Sequence, residues 1–510
     1  MRSKKAIINS SINIISFLVV FMPNMVLRKV FLNTLGNDML GLNSLYSNII
    51  GWLSIIEMGV GTAIIYSLYK PFATNDKEKI RAYIRFYGIF YKRIGIFILI
   101  VGSIISPFIG FFINGEINIR IAILGFFIYL INSVLSYLFT HRLCILNVAQ
   151  EAYKVTLGMT ISKIIIVFLQ LILLKVYPNF ILYGLIQILV NLVYYIIINL
   201  YITISYPWLD NGPGELEVEE RKTLLKNVKA MFMHKIGSLV VLSTDNIVIS
   251  KFVGLTELAK YTNYYMIIDA LQSIVSKGLN GVTATIGNLL TDGDKDRAYD
   301  VHKKIFFINF WVVSFIVISL YNTLNQFIGL WVGTKYFLNY SAYVMLLFNL
   351  YFSAMRGSVE RFQEGSGNYR QDRYAPLCEA IINLGTSIFL VRKIGITGVF
   401  VGTFISNIMV IFWTKPYVVY KYVFDRKLIE YFKMYFRYLV IAVIPLIVTS
   451  YMTKNIKKNF DVGSFISNCF INIVIINIIY FIIFFRSEEF KYFLNIIIKT
   501  VKKKNKVCAE

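Results

Sequence analysis

Glu57 stands close to the middle of GWLSIIEMGVGTAIIYSLYK (51–70), an otherwise largely apolar run nearly long enough to cross a bilayer. A charged side chain at mid-membrane costs about 2.5–3.5 kcal/mol on insertion scales, so by default it marks a functional site. In helical register Ser54 and Gly61 lie at i−3 and i+4, and Ser47, Gly51, Ser54 and Gly61 form a stripe of small residues. That stripe predicts that Glu57 faces another helix or a cavity rather than lipid. Its chemistry is that of a protonatable, ion-binding or hydrogen-bonding group. The bland alternative is a structural carboxylate hydrogen-bonded within its own bundle.

A longer polar face follows downstream. Asp269, Gln272, Ser273, Ser276, Lys277 and Asn280 recur at three- and four-residue spacing along an otherwise apolar segment. They draw one stripe down a helix, which predicts the lining of a wet cavity or, failing that, a polar seam between helices. Near the amino terminus Asn24 and Arg28 share a face, with Lys29 adjacent. Arg28 has the planar guanidinium suited to a phosphate, although an arginine near a span's end also snorkels to the interface. Asp245, with His234 and Lys235 upstream, completes the set. The ion-coupling candidates are Glu57, Asp245 and Asp269.

Enzyme and metal signatures are missing. The sequence has no G-x-x-x-x-G-K-[ST], G-x-S-x-G or H-E-x-x-H, so it offers neither a P-loop nor a hydrolase motif. His141, His234 and His302 do not cluster at metal-ligand spacing. Cys144, Cys378, Cys469 and Cys508 are far apart and suggest neither a disulfide framework nor a zinc site. No cofactor is expected.

The elements that must position these residues are membrane spans. Of the 510 residues 57% are hydrophobic and the mean hydropathy is +0.64. Apolar runs recur along the whole chain, and about 20 residues suffice to cross the hydrocarbon core. Fourteen candidate spans fall near 8–27, 42–68, 94–113, 119–139, 154–174, 180–204, 232–250, 261–287, 305–323, 340–355, 374–391, 396–414, 434–452 and 464–485. The expected fold is an all-α polytopic membrane protein. The net charge of +24 comes from Lys and Arg that punctuate the apolar runs instead of gathering on one domain. This disfavours nucleic acid as a partner and, by the positive-inside rule, places both termini in the cytoplasm.

No loop is large enough for a soluble catalytic domain. The longest, SYPWLDNGPGELEVEERKTLLKNVK (205–229), holds proline, glycine and an acidic cluster, and reads as a linker. RGSVERFQEGSGNYRQDRYAP (356–376) reads as a solvated cytoplasmic turn between short helices. The halves on either side of the linker echo one another. LYSNII (45–50) and NDKEKIRAY (75–83) in the first correspond to KYTNYY (260–265) and GDKDRAY (293–299) in the second, at nearly equal spacing. In that alignment Gln272 falls opposite Glu57. The expected organisation is a six-helix lobe at 1–204, a linker at 205–230, a second six-helix lobe at 231–433, and two further helices with a basic tail at 434–510. A repeat of six spans keeps both lobes in the same orientation, and a central site is expected between them.

Three segments carry a family resemblance: LGNDMLGLNSLYSNIIGWLSIIEMGVGTAIIYSLYKPFATNDKEKI (35–80), TDNIVISKFVGLTELAKYTNYYMIIDALQSIVSKGLNGVTATIGNLL (244–290) and YAPLCEAIINLGTSIFLVRKIGITGVFVGTFIS (374–406). In order and spacing they resemble the Wzx-type polysaccharide flippases of the multidrug/oligosaccharidyl-lipid/polysaccharide exporter superfamily. The resemblance implies two six-helix lobes facing each other as a V, in a bacterial plasma membrane. It also implies transfer of an undecaprenyl-pyrophosphate-linked oligosaccharide to the outer leaflet, with polysaccharide polymerase and assembly proteins as partners. Arg28 and Lys277 match the cationic residues that related flippases use for the pyrophosphate. The arginine that lipid II flippases carry in the second span is absent, and Glu57 is there instead. Without an ATP site, turnover is expected to rest on alternating access biased by a proton or sodium gradient or by the membrane potential. The rival from the same superfamily is an ion-coupled drug/cation antiporter, in which Glu57 and Asp269 would dominate over Arg28 and Lys277.

Overall fold

The computed structural model describes residues 2–57, 60–113, 117–210, 215–222, 224, 244–291, 293–368, 371–495 and 498; side chains are described for these except at 2–11, 13–14, 55–56, 62–63, 66, 277–282, 284–285, 288 and 291. Among the described residues the regular structure is helical, without a strand. Among the described residues nine helical stretches, some joining consecutive segments as in Ile396–Phe424, are long and apolar enough to cross a membrane. The other expected spans fall short for visible reasons. The second is interrupted, the eighth and eleventh carry charges, the tenth is a helix of 16 residues, and the seventh lies mostly outside the described residues. By its contacts the chain divides into two compact units, Met1–Ala259 and Lys260–Glu510.

The first unit comprises α1 (Arg2–Thr34), α2 (Gly36–Leu53), α3 (Val60–Ala73), α4 (Lys77–Ile105), α5 (Ile119–Phe139), α6 (Cys144–Val148), α7 (Ala152–Val176), α8 (Phe180–Ser205) and α9 (244–252). Short polar side chains start several of these helices by satisfying amide groups that lack an intrahelical partner. Asp76 accepts from the Lys79 amide, Asn118 from that of Arg120, and Asn179 from those of Ile181 and Leu182. Tyr46 is fully buried, and its hydroxyl donates to the Ala122 carbonyl at 2.5 Å. Gly125 permits this packing: a Cβ there would stand 2.8 Å from Phe180 and 3.0 Å from Tyr46. Outward faces of the long helices are rows of exposed apolar residues, such as Ile96, Ile100 and Ile104 on α4, as lipid contact requires.

α9 and the start of the next helix pack on α2 in this unit. Asn246 donates to Asn48 at 3.0 Å, Thr256 donates to Asp38 at 2.6 Å, and Ser250 donates to the Phe112 carbonyl at 2.6 Å. The linker segment is strapped to α4. Lys79 pairs with Glu220 at 2.8 Å, and Arg81 donates to the Trp208 carbonyl at 3.3 Å.

The second unit holds most of α10 (Leu255–Thr291), then α11 (Lys295–Trp331), α12 (Tyr340–Met355), α13 (Gly357–Ser366), α14 (Ala375–Ile394), α15 (Ile396–Ser406), α16 (Phe412–Val419), α17 (Leu428–Met452) and α18 (Val462–Phe484). Two π-helical segments, Asn407–Ile411 and Tyr420–Phe424, flank α16. The repeat seen in sequence has a local counterpart here. Asp294 caps the Arg297 amide as Asp76 caps that of Lys79, and Arg426 pairs with Asp296 at 2.6 Å where the first unit pairs Lys79 with Glu220. In both units a segment that follows a later helix, α8 in the first and α16 in the second, is tied to the start of an earlier long one, α4 and α11.

The two C-terminal helices are fixed by amides. Asn322 of α11 donates to Thr449 of α17 and Asn472 of α18, and Asn468 donates to the Asn322 carbonyl and to Gln326, at 2.8–2.9 Å throughout. Asn322, Asn468 and Asn472 are buried. Within a membrane such interhelical bonds replace the hydrophobic drive that lipid tails cannot supply.

A carboxylate at a helix interruption

The second span is not the continuous helix that the small-residue stripe suggests. α2 ends at Leu53 and gives way to a 3₁₀ turn, Ser54–Glu57, before α3 starts at Val60. A short 3₁₀ stretch inside a helical run is a recurrent mark of a functional hinge. Glu57 is the last residue of that turn, half-buried in the first unit.

Its partners are hydroxyl groups. The Tyr91 hydroxyl of α4 donates to Glu57 Oε1. The Tyr137 hydroxyl of α5 lies within hydrogen-bonding reach of Glu57 and of Ser54. Tyr87 packs one turn from Tyr91 with its ring tilted and the centroids 4.2 Å apart, and Tyr137 packs edge-on against Tyr91 at 5.4 Å. Gly61 makes room for this cage, since a Cβ there would stand 2.8 Å from the Tyr87 hydroxyl. Among the described residues no Lys or Arg pairs with Glu57. The result is a carboxylate at a backbone interruption, solvated by neutral donors. Sequence reasoning named Glu57, Ser54 and Gly61 but missed the tyrosines. Their signal was the four-residue spacing of Tyr87 and Tyr91 in IRFYGIFYKR (84–93).

The other candidates are distributed. Asn24 donates its amide to the Val20 carbonyl of its own helix at 2.9 Å. Arg28, half-buried on α1, lies within electrostatic reach of the Tyr183 hydroxyl on α8. Asp245 is buried on α9, beside the Asn246–Asn48 bond. On α10 the polar face is partly open: Asp269 and Ser276 are exposed, and Gln272 is half-buried with its amide 3.4 Å from Ser353 of α12. The side chains of Lys277 and Asn280 lie outside the described residues, as do His234 and Lys235.

A second charged cluster was not anticipated. The 356–376 segment is not a solvated turn: Arg356, Ser358, Val359, Phe362 and Gln363 are buried, and Gly357–Ser366 is a helix. Glu360 accepts from Lys415 of α16 at 2.8 Å and lies 3.6 Å from Arg356, whose guanidinium donates to Asn407 at 2.8 Å. Burial pushes the Glu360 carboxyl up, but Lys415 and Arg356 outweigh it and hold the group at about 2. The pattern was invisible because Arg356 and Glu360 find Lys415 and Asn407 some fifty positions away in sequence.

Two helical units with long apolar spans and a carboxylate at an interrupted helix make an architecture familiar from membrane carriers. No protein-family model and no curated protein matches the sequence. The fold is similar to that of a solved structure described as the lipid II flippase MurJ in an inward closed conformation, at 15% identity over 94% of this chain and 99% of that one, with a TM-score of 0.70. It is also similar to an inward-facing multidrug resistance MATE family transporter of the MOP superfamily, at 15% identity, 81% and 98% coverage and a TM-score of 0.66. A MOP superfamily transporter from Pyrococcus furiosus gives 14% identity, 82% and 96% coverage and a TM-score of 0.55. The chain therefore shares the fold of these solved structures.

Proposed function

We propose that the protein is a flippase that carries an undecaprenyl-pyrophosphate-linked oligosaccharide from the cytoplasmic to the outer leaflet of a bacterial plasma membrane, for assembly of a surface polysaccharide. The observation that carries this reading is the extent of the fold likeness, which covers 94% of the chain for the lipid II flippase against 81% for the multidrug transporter. The chemistry agrees. A pyrophosphate and sugars need polar groups that hydrocarbon cannot supply, while the lipid tail stays in the bilayer. Arg28 and Lys277 are assigned to the pyrophosphate, and Asn24, Asp269, Gln272, Ser276 and Asn280 to the polar path. Glu57, with Asp245 and Asp269, is assigned to coupling with a proton or sodium gradient or with the membrane potential. Both termini are cytoplasmic in this scheme, and a polymerase receives the product.

Reconstitution into liposomes with an undecaprenyl-pyrophosphate-linked oligosaccharide tests the proposal. Wild type is expected to move it to the opposite leaflet, and Arg28→Ala and Lys277→Ala are expected to lose that activity while folding normally. Export of a cationic dye without movement of the lipid would assign the protein to the antiporters.

A further inference from the structure

The aromatic core of the second unit contains buried polar atoms with no partner. Tyr351 of α12 and Tyr431 and Tyr435 of α17 are 5%, 0% and 0% exposed, and none of their hydroxyls has a hydrogen-bond partner among the described residues. His302 of α11 is 0% exposed; its Nδ1 meets the Ser358 hydroxyl at 3.0 Å, but its Nε2 has no partner among the described residues. These groups are neighbours. Ring centroids lie 6.3 Å apart for Tyr351 and Tyr435, 5.8 Å for Tyr435 and Tyr431, and 5.6 Å for Tyr431 and Tyr420, whose ring is in turn 5.6 Å from His302.

An unpaired buried hydroxyl loses its hydration with nothing in return, and one such atom in a core is already an anomaly. Three adjacent ones and an imidazole nitrogen call for a ligand. Other tyrosines in this unit show the usual solution: the Tyr343 hydroxyl donates to the carbonyls of Leu320 and Tyr321, and that of Tyr264 donates to Asn325.

The ligand's chemistry is restricted by what surrounds the cluster. Tyr431 lies within electrostatic reach of both Arg356 and Glu360. The cluster's carboxylate is already held by Lys415 and Arg356 and so is not free for a further cation, and the unpartnered groups themselves, three hydroxyls and an imidazole nitrogen, include no cationic side chain to hold an anion. A neutral molecule that both donates and accepts satisfies tyrosine hydroxyls and an imidazole in either tautomer. We infer that the second unit encloses a chain of bound water molecules along His302, Tyr431, Tyr435 and Tyr351, beside the Arg356–Glu360–Lys415 ion cluster. Buried waters typically make about three hydrogen bonds to such otherwise unsatisfied groups. Here they also extend solvation to the edge of the ion cluster.

X-ray hydroxyl-radical footprinting of the full-length protein in nanodiscs, read by mass spectrometry, tests this. Radicals form from bound water within the protein, so a buried tyrosine beside water is oxidised while an equally buried dry one is not. Tyr351, Tyr431 and Tyr435 are expected to be oxidised several-fold faster than Tyr343 and Tyr264, which are 1% and 0% exposed. Rates equal to those of Tyr343 and Tyr264 would overturn the inference. Tyr435→Phe removes one anchor of the chain and is expected to lower oxidation of Tyr431 and Tyr351 several-fold; unchanged rates would trace the radicals to another source and would equally overturn it.

Discussion

Glu57 and Glu360 are half-buried carboxylates in different units, and they are held by opposite kinds of partner. Glu57 ends a 3₁₀ turn between α2 and α3 and accepts from Tyr91, with Tyr137 and Ser54 beside it. Glu360 sits on α13 between Lys415 and Arg356. The difference is one of reversibility. A carboxylate bound by hydroxyls can take a proton and donate back to a tyrosine oxygen, or can trade a hydroxyl for a cation, without stranding any charge. A carboxylate bound by two cations cannot be neutralised without leaving both uncompensated in a poorly solvated place. The first arrangement suits a group that changes state in each cycle, and the second suits a fixed strut joining α12, α13 and α16.

Exchanging the two carboxylates for neutral side chains therefore separates function from stability. Glu57→Gln is expected to bring transport of the lipid-linked substrate to background in proteoliposomes, with a thermal midpoint close to wild type. Lys415→Met is expected to do the reverse. The pair is about a quarter exposed on each side, between an exposed pair at about 0–1 kcal/mol and a buried one at about 3–5, so a loss of about 2 kcal/mol is expected in thermal unfolding. Lys415→Met with Glu360→Leu should recover little of that loss, because Arg356, which is buried and lies 3.6 Å from Glu360, is then left without its carboxylate.

Acid sharpens the comparison further. The folded Glu360 carboxyl is held at about 2, below its ordinary 4.5. Its contribution is thus complete above about pH 4.5 and is lost as pH falls toward 2. The thermal midpoint of wild type should fall across that window, and that of Glu360→Gln should fall less. The smallest effect expected is that of Tyr91→Phe. Loss of one hydrogen bond to a charged group is worth about 1.5–3 kcal/mol where nothing replaces it. Tyr137 and Ser54 remain beside Glu57, so about 1 kcal/mol and a partial loss of transport are expected; transport at the wild-type rate would show that the tyrosine cage is packing alone.

Much of this architecture was legible in sequence because lipid imposes strong rules. Apolar run length located the long helices; the NDKEKIRAY and GDKDRAY segments were legible only as a repeat, and the structure makes them the capped starts of α4 and α11, ahead of the expected spans at 94–113 and 305–323. Glu57 was legible because a charge in an apolar run has few explanations. The interruption at Ser54–Glu57 was not, since neither proline nor a run of glycines announces it. The 356–376 segment misled for a related reason. Its composition is that of a surface loop, and only the distant Lys415 and Asn407 turn Arg356 and Glu360 into interior residues.

The claim at the centre is that the Glu57 carboxylate changes state during transport of a lipid-linked oligosaccharide. The direct measurement is the initial rate of leaflet transfer in proteoliposomes as a function of pH, for wild type and Glu57→Gln. The account predicts a pH-dependent rate for wild type and a low rate without pH dependence for the variant. A variant that transfers the lipid as fast as wild type, with the same pH profile, would contradict it.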